Sequence, residues 1–261
     1  MKCITKDLAR QMESCIKQTH IEVTKQYPQG KILELNGGAA CFSGADSYLS
    51  QVVGWGFATK LAHFQSEIER IEHFYKTLNH TRVDIELCPF VGNELTIFLS
   101  QRGYCISELN NVSILDLNTY QPHDCVADDP LSIKEIESHE LSEWAKKVAL
   151  GFDAPEAEDQ FSRYAQSKGV SAYAVYDKEV IVAGASIAIH GDFCDLGVTS
   201  TLPAYREKGL QKRLLKARLN SAKQQGVSWA TVTTEPGSVS DCNVQKIGFH
   251  CAYTRIKMTL E

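Results

Sequence analysis

Residues 201–219, TLPAYREKGLQKRLLKARL, put a proline, a glycine and a basic cluster where a helix is expected to begin. Between Arg206 and Lys223 stand seven basic residues and one acid, Glu207, in a chain of formal net charge −5. Pro203 fixes φ and lacks a donor, which suits a turn leaving a strand. Gly209, read as lying one turn into the helix, costs about 1 kcal/mol relative to alanine. What it offers is close approach to the backbone. The first N–H groups of a helix have no internal partner and carry the positive end of its dipole. A phosphate or pyrophosphate suits such a place, with Arg206, Lys208, Lys212 and Arg213 adding charge at the rim. A solvated basic face with a packing glycine accounts for the same residues without a ligand.

Two carboxylates are candidates for a general base: Asp195 in FCDLGVTST and Glu235 at the end of SWATVTTE. Strand alternation would put Asp195, Gly197, Thr199 and Thr201 on one face. A solvated strand edge and a loop position are the competing readings for the two acids. Ser240 and Asn243 read as ligand contacts, or else as an N-cap and a helix-surface amide. Cys242 is a nucleophile by residue type only, with no His–Asp partner evident, and His190 reads as structural. Eight histidines and nine cysteines include no H-E-x-x-H and no C-x-x-C, so no metal site is expected.

These residues need elements to hold them. Apolar periodicity predicts helices over 6–26, 58–79, 92–102, 139–151, 155–168, 206–225 and 238–247. Strands are expected in 31–44, RVDIELCPF, YCISELNNVSILDL, 131–136, SAYAVY, VIVAGASIAIH, FCDLGVTST, SWATVTT and 249–260. The fold class is α/β, with an α+β mixed sheet. Residues 118–130, NTYQPHDCVADDP, are polar and aperiodic and read as a linker between domains at 1–117 and 131–261. The halves also repeat: Gly92 and Gly237, and Gly103 and Gly248, are each 145 residues apart, and long helix, strand, short helix and strand follow in the same order.

From Arg206 onward the chain resembles the GNAT family of acyl-CoA-dependent N-acyltransferases. The family's pyrophosphate loop, Q/R-x-x-G-x-G/A, is matched by Arg206, Glu207, Lys208, Gly209, Leu210 and Gln211 in all but the last position. Ile247-Gly248-Phe249 fits its glycine–aromatic pair, and Ser240, Asn243, Gly248 and Phe249 fit the S-x-x-N-x-x-x-x-G-F pattern of one branch. The resemblance covers roughly 131–261, and residues 31–117 look like a second, degenerate copy without the loop. It implies tandem GNAT-like folds and acetyl transfer from acetyl-CoA to a small-molecule or peptide amine by direct attack. It also implies coenzyme contacts at Thr199, Thr201, Leu202, residues 206–212, Ser240 and Asn243, with an N–H near Thr201 and Leu202 on the thioester oxygen. Two positions depart: Gln211 replaces glycine or alanine, and Val244 stands where many members have a tyrosine acid. The second departure favours the alternative of a non-catalytic acyl-CoA-binding or sensing module.

Composition narrows the class. The chain is 43% hydrophobic and 23% charged, as soluble globular proteins are. No apolar run approaches a membrane span, and charges fill the place of a signal peptide's apolar core. The acidic balance and the lack of an aromatic-interleaved basic stripe argue against nucleic acid. Cysteine usage points to a reducing, cytoplasmic setting. The acid-rich segment 124–159 suits a cationic acceptor, or simply a solvated face.

Overall fold

A computed structural model describes residues 3–45, 47–122 and 131–261. Most of the expected linker, 123–130, lies outside the described residues, as do the first acids of the segment 124–159. In chain order the elements are α1 (Lys6–Thr24), β1 (Lys31–Glu34), β2 (Ala39–Phe42), β3 (Val52–Val53), α2 (Leu61–Thr77), β4 (Val83–Leu87), α3 (Asn93–Gln101) and β5 (Cys105–Asp116). There follow β6 (Leu131–Glu135), α4 (Leu141–Gly151), α5 (Glu158–Ala165), β7 (Val170–Asp177), β8 (Val180–His190), β9 (Phe193–Asp195) and β10 (Thr199–Thr201). The last are α6 (Leu210–Gln224), β11 (Trp229–Thr234), α7 (Val239–Ile247) and β12 (His250–Leu260).

Two units are present. The first holds residues 1–113, 234–241 and 251–261; the second holds 114–233 and 242–250. They are not the serial halves 1–117 and 131–261, because the chain's last strand belongs to the first unit. There β12 runs antiparallel to β4, with Ile256 opposite Leu87 and Leu260 opposite Val83. Alternation along this pair drives Ile256, Met258 and Leu260 into the same core as Ile85, Leu87, Leu95 and Leu99. The end of β5 serves the second unit, where Leu115 and Leu117 pack with Leu214, Val244 and Phe249.

The internal repeat is visible in local geometry. α2-β4-α3-β5 and α6-β11-α7-β12 follow in the same order. Gly103 and Gly248 have φ of 97° and 112°, conformations that side chains avoid. In both copies the aromatic after the glycine closes the helix: Tyr104 N–H donates to Leu99 O (3.0 Å) and Phe249 N–H to Val244 O (3.2 Å). Tyr104 and Phe249 are then buried. Cys88 and Cys194 are buried, whereas Cys105 and Cys251 are exposed.

The opposite face of β12 in the first unit is ionic. Lys257 lies opposite Glu86 and Thr259 opposite Asp84, and Arg255 pairs with Glu13 of α1 at 2.9 Å. His20 of α1 is half-buried. Burial first, then the charges of Arg255 and Lys257, hold its imidazole down from 6.5 to about 4. The unfolded chain therefore binds the His20 proton at a higher pH than the folded one. Stability from this group is present above pH 6.5 and is lost as pH falls toward about 4. Urea titrations between neutral pH and pH 4.5 should show that loss, and the His20→Gln protein should show a shallower one. An identical pH slope in the two proteins would refute the assignment.

Candidate active site

The second unit's site is built on β8, whose one edge carries β9 and then β10. Ala188 lies opposite Asp195, and Ala185 lies opposite Thr199. β8 thus advances three residues while the facing chain advances four, so a bulge with one extra residue sits between Asp195 and Thr199. The bulge overturns the expectation that Asp195, Gly197, Thr199 and Thr201 share a face, because one inserted residue inverts the alternation. Asp195 and Gly197 face α4 and α5: a Cβ on Gly197 would lie 2.5 Å from Tyr164 Oη. Thr199 faces α6, where its Oγ1 accepts from Arg218 Nη2 at 3.1 Å.

The bulge also opens the sheet. β11 runs parallel beside β9, and Leu196 N–H donates to Thr231 O at 2.8 Å. Beyond that point β10 pairs with β8 alone among the described residues. Ser186 N–H donates to Val198 O (2.8 Å) and Leu202 N–H to Val182 O (3.0 Å). Val198, Ser200 and Leu202 therefore turn their backbone groups to β8, while Thr199 and Thr201 turn theirs to the open edge. The expected thioester donor "near Thr201 and Leu202" narrows to Thr201, since the Leu202 N–H is engaged. α4 ends beside it: a Cβ on Gly151 would lie 3.1 Å from Thr201 N.

Arg218 holds this geometry. It is 2% exposed, and burial lowers its guanidinium to about 10. It donates to Leu214 O (3.1 Å), Ser186 O (2.5 Å) and Thr199 Oγ1 (3.1 Å). It is not part of a solvated basic face, contrary to the charge count. Its position four residues after Leu214 and one before Leu219, on the apolar stripe of α6, is the sequence signal that could have found it.

The loop follows β10. Pro203 opens a single 3₁₀ turn, Pro203–Tyr205, and Tyr205 Oη donates to Asp177 at 2.7 Å. Gly209 is the residue before α6 rather than one turn inside it, with φ 74°. The helix-propensity cost assigned to it does not apply; the left-handed backbone is what favours glycine. A Cβ there would meet nothing within 4 Å, and no side chain caps the first N–H groups of α6. Two of the expected rim charges hold protein carbonyls: Arg206 Nη2 donates to Gly151 O (3.0 Å) and Arg213 Nη2 to Leu131 O (2.8 Å). Lys208 Nζ lies 4.4 Å over the Tyr205 ring. Asn243 Nδ2 donates to Gln211 Oε1 at 2.5 Å, so α7 meets the first turn of α6.

Of the two candidate bases, Asp195 is half-buried and its Oδ1 accepts from Thr231 Oγ1 at 3.0 Å. Glu235 is exposed and, like Ser240, falls in residues 234–241 of the first unit. Val244 is buried in the core of the second unit. Tyr164, brought to the bulge by α5, carried no sequence signal beyond its place on that helix.

Residues 135–249 match the model of the acetyltransferase (GNAT) family. They are a GNAT acetyltransferase domain. The open edge of β10 and the Arg206–Gln211 loop both lie within it. The whole chain shares its fold with a GCN5-related N-acetyltransferase from Kribbella flavida, at TM-score 0.70 and 16% identity over 95% of each chain. A tandem GNAT protein from the clavulanic acid biosynthesis pathway matches at TM-score 0.65 and 14% identity, over 93% of this chain and 87% of that one. A GCN5-related N-acetyltransferase from Sphaerobacter thermophilus matches at TM-score 0.64 and 13% identity, over 97% and 91%. No curated protein matches the sequence. The architecture is a mixed α/β tandem GNAT fold. The protein is an acyltransferase of the class that draws its acyl group from acyl-CoA. Among the described residues no helix is long and apolar enough to cross a membrane.

Proposed function

We propose that the protein is an N-acetyltransferase that moves an acetyl group from acetyl-CoA to an amine, on a small molecule or a peptide, by direct attack. The observation that carries this reading is the open edge of β10 running into a left-handed glycine at an uncapped helix start. The backbone of Thr199 and Thr201 pairs with the pantetheine arm as another strand would. N–H groups of residues 206–212 take the pyrophosphate, and the Gln211–Asn243 pair borders that end of the site.

The chemistry needs a deprotonated amine, a donor for the thioester oxygen and a proton for the leaving sulfur. The amine nitrogen attacks the carbonyl carbon while Thr201 N–H stabilises the oxygen. The C–S bond breaks, and the thiolate leaves as coenzyme A after protonation. Asp195 is the favoured base, because the bulge turns it toward α4 and α5, which overlap the acid-rich segment suited to a cationic acceptor; Glu235 is the second candidate. Val244 has no proton to give, and the hydroxyl brought beside the bulge at Gly197 is that of Tyr164, the candidate acid. The eight described cysteines are all free thiols, in keeping with a cytoplasmic setting.

The test is thiol release from acetyl-CoA across an amine panel, with coenzyme affinity measured alongside. Asp195→Asn should lower turnover by about 10²-fold or more while coenzyme affinity holds. Wild-type turnover in both Asp195→Asn and Glu235→Gln would acquit both acids. Coenzyme binding without thiol release to any amine would instead favour a sensing module.

A further inference from the structure

Arg218 of α6 is buried, and the three groups it bonds are all neutral: Leu214 O, Ser186 O and Thr199 Oγ1. No carboxylate pairs with it among the described residues, and Asp195 acts on its charge only through space. Burying a charge without such a partner is costly. An apolar side chain of similar size would fill the same place without that cost. The contacts of the guanidinium, rather than its charge, account for its position.

Two of those contacts lie at the bulge. Ser186 N–H donates to Val198 O at 2.8 Å. In a regular antiparallel ladder the facing residue returns the bond. Among the described residues no bond from Val198 N–H to Ser186 O is made. Arg218 Nη1 donates to Ser186 O instead, at 2.5 Å, and Nη2 donates to Thr199 Oγ1 at 3.1 Å. Nε holds the group to α6 through Leu214 O at 3.1 Å. One planar fork thus spans β8, β10 and α6, which an ammonium cannot do. Without it Ser186 O is a vacant ladder acceptor, and a slip of β10 by one residue would fill it. Such a slip turns every residue of a strand over. Thr199 and Thr201 would then spend their backbone groups on β8 instead of the open edge.

We propose that Arg218 is a positioning residue for acyl transfer, a role that rests on the coenzyme reading above. By taking Ser186 O and Thr199 Oγ1 it locks β10 in the bulged register. That register gives the open edge to the pantetheine arm and Thr201 N–H to the thioester oxygen.

Isothermal titration of the full chain with acetyl-CoA, and in parallel with ADP, tests it. ADP carries a pyrophosphate but no pantetheine arm. Arg218→Met fills the space without charge or donors, and Arg218→Lys keeps the charge but loses the fork. Each should weaken acetyl-CoA binding by about tenfold, the equivalent of one charge-assisted hydrogen bond. ADP affinity should stay at the wild-type value, because the start of α6 is untouched. Thr199→Val removes one acceptor and should also weaken acetyl-CoA alone. The double variant Arg218→Met, Thr199→Val should bind no more weakly than Arg218→Met, since both changes cut the same tie. Circular dichroism of the variants should match wild type; if Arg218→Met is unfolded, Arg218→Lys and Thr199→Val decide. Wild-type affinity for acetyl-CoA in Arg218→Lys would overturn the proposal, and so would an equal loss of acetyl-CoA and ADP, which a merely structural arginine would give. A wild-type protein that binds neither ligand would remove the coenzyme reading itself, and this role with it.

Discussion

Coenzyme A is expected to raise the melting temperature of the wild-type protein and to leave that of Gly209→Asp unchanged. Gly209 has φ 74° and precedes the first N–H groups of α6, with open space where its Cβ would project. Aspartate tolerates the left-handed region better than most residues, and a carboxylate suits a helix N-terminus. The ligand-free protein should therefore fold. The new side chain would occupy the place of the pyrophosphate and carry the wrong charge. Ligand linkage gives the scale: at 100-fold over its dissociation constant, the coenzyme stabilises by about 2.7 kcal/mol. Gly209→Val should lose the shift too, but a β-branched residue at positive φ adds strain of about 1–3 kcal/mol of its own. Aspartate is therefore the cleaner substitution. Arg206→Ala should lose part of the shift, since backbone donors remain while the tie to Gly151 O is cut. A full thermal shift in folded Gly209→Asp would place the coenzyme elsewhere.

Glu13→Ala should destabilise the protein by roughly 3–5 kcal/mol, the cost of stranding a buried partner charge. Glu13 is 2% and Arg255 5% exposed. Glu13 Oε1 accepts from Arg255 Nε (3.0 Å), Arg255 Nη2 (2.9 Å) and Tyr253 Oη (2.7 Å). The other carboxylate near Arg255, Glu86, is at 3.8 Å, too far for a good hydrogen bond. Its own ionised form is disfavoured, first by burial. Glu13→Gln keeps an acceptor and should cost less. The double variant Glu13→Leu, Arg255→Met removes both charges and should recover much of the loss. Urea denaturation checks the series; a loss below about 1 kcal/mol for Glu13→Ala would mean that Glu86 takes over the pairing.

The readings that held were local ones. The matched spacing of Gly103 and Gly248 announces the same helix ending in both copies, because a helix end is a property of a few consecutive residues. The turn between β10 and α6 was legible for the same reason, although the helix begins at Leu210 rather than at Arg206. Arg218 could have been read from its place on the apolar stripe of α6, but a charge count ignores which face a residue takes.

What escaped depended on partners distant in sequence. Alternation along FCDLGVTST assumes one residue per step of the neighbouring strand. The bulge breaks that assumption and moves Asp195 to the other face of the sheet from Thr199. Nothing between Asp195 and Thr199 sets the register; pairing with β8 does. The grouping of β12 with β4 escaped for a similar reason. By itself the sequence determined most of the elements and the repeat, because dihedral preference and apolar period act over a few residues. Only the tertiary structure decided that the last strand serves the first unit, that Arg218 is buried, and which edge of β10 is open, because strand pairing and burial are settled by whichever distant surfaces satisfy the backbone and bury the apolar face.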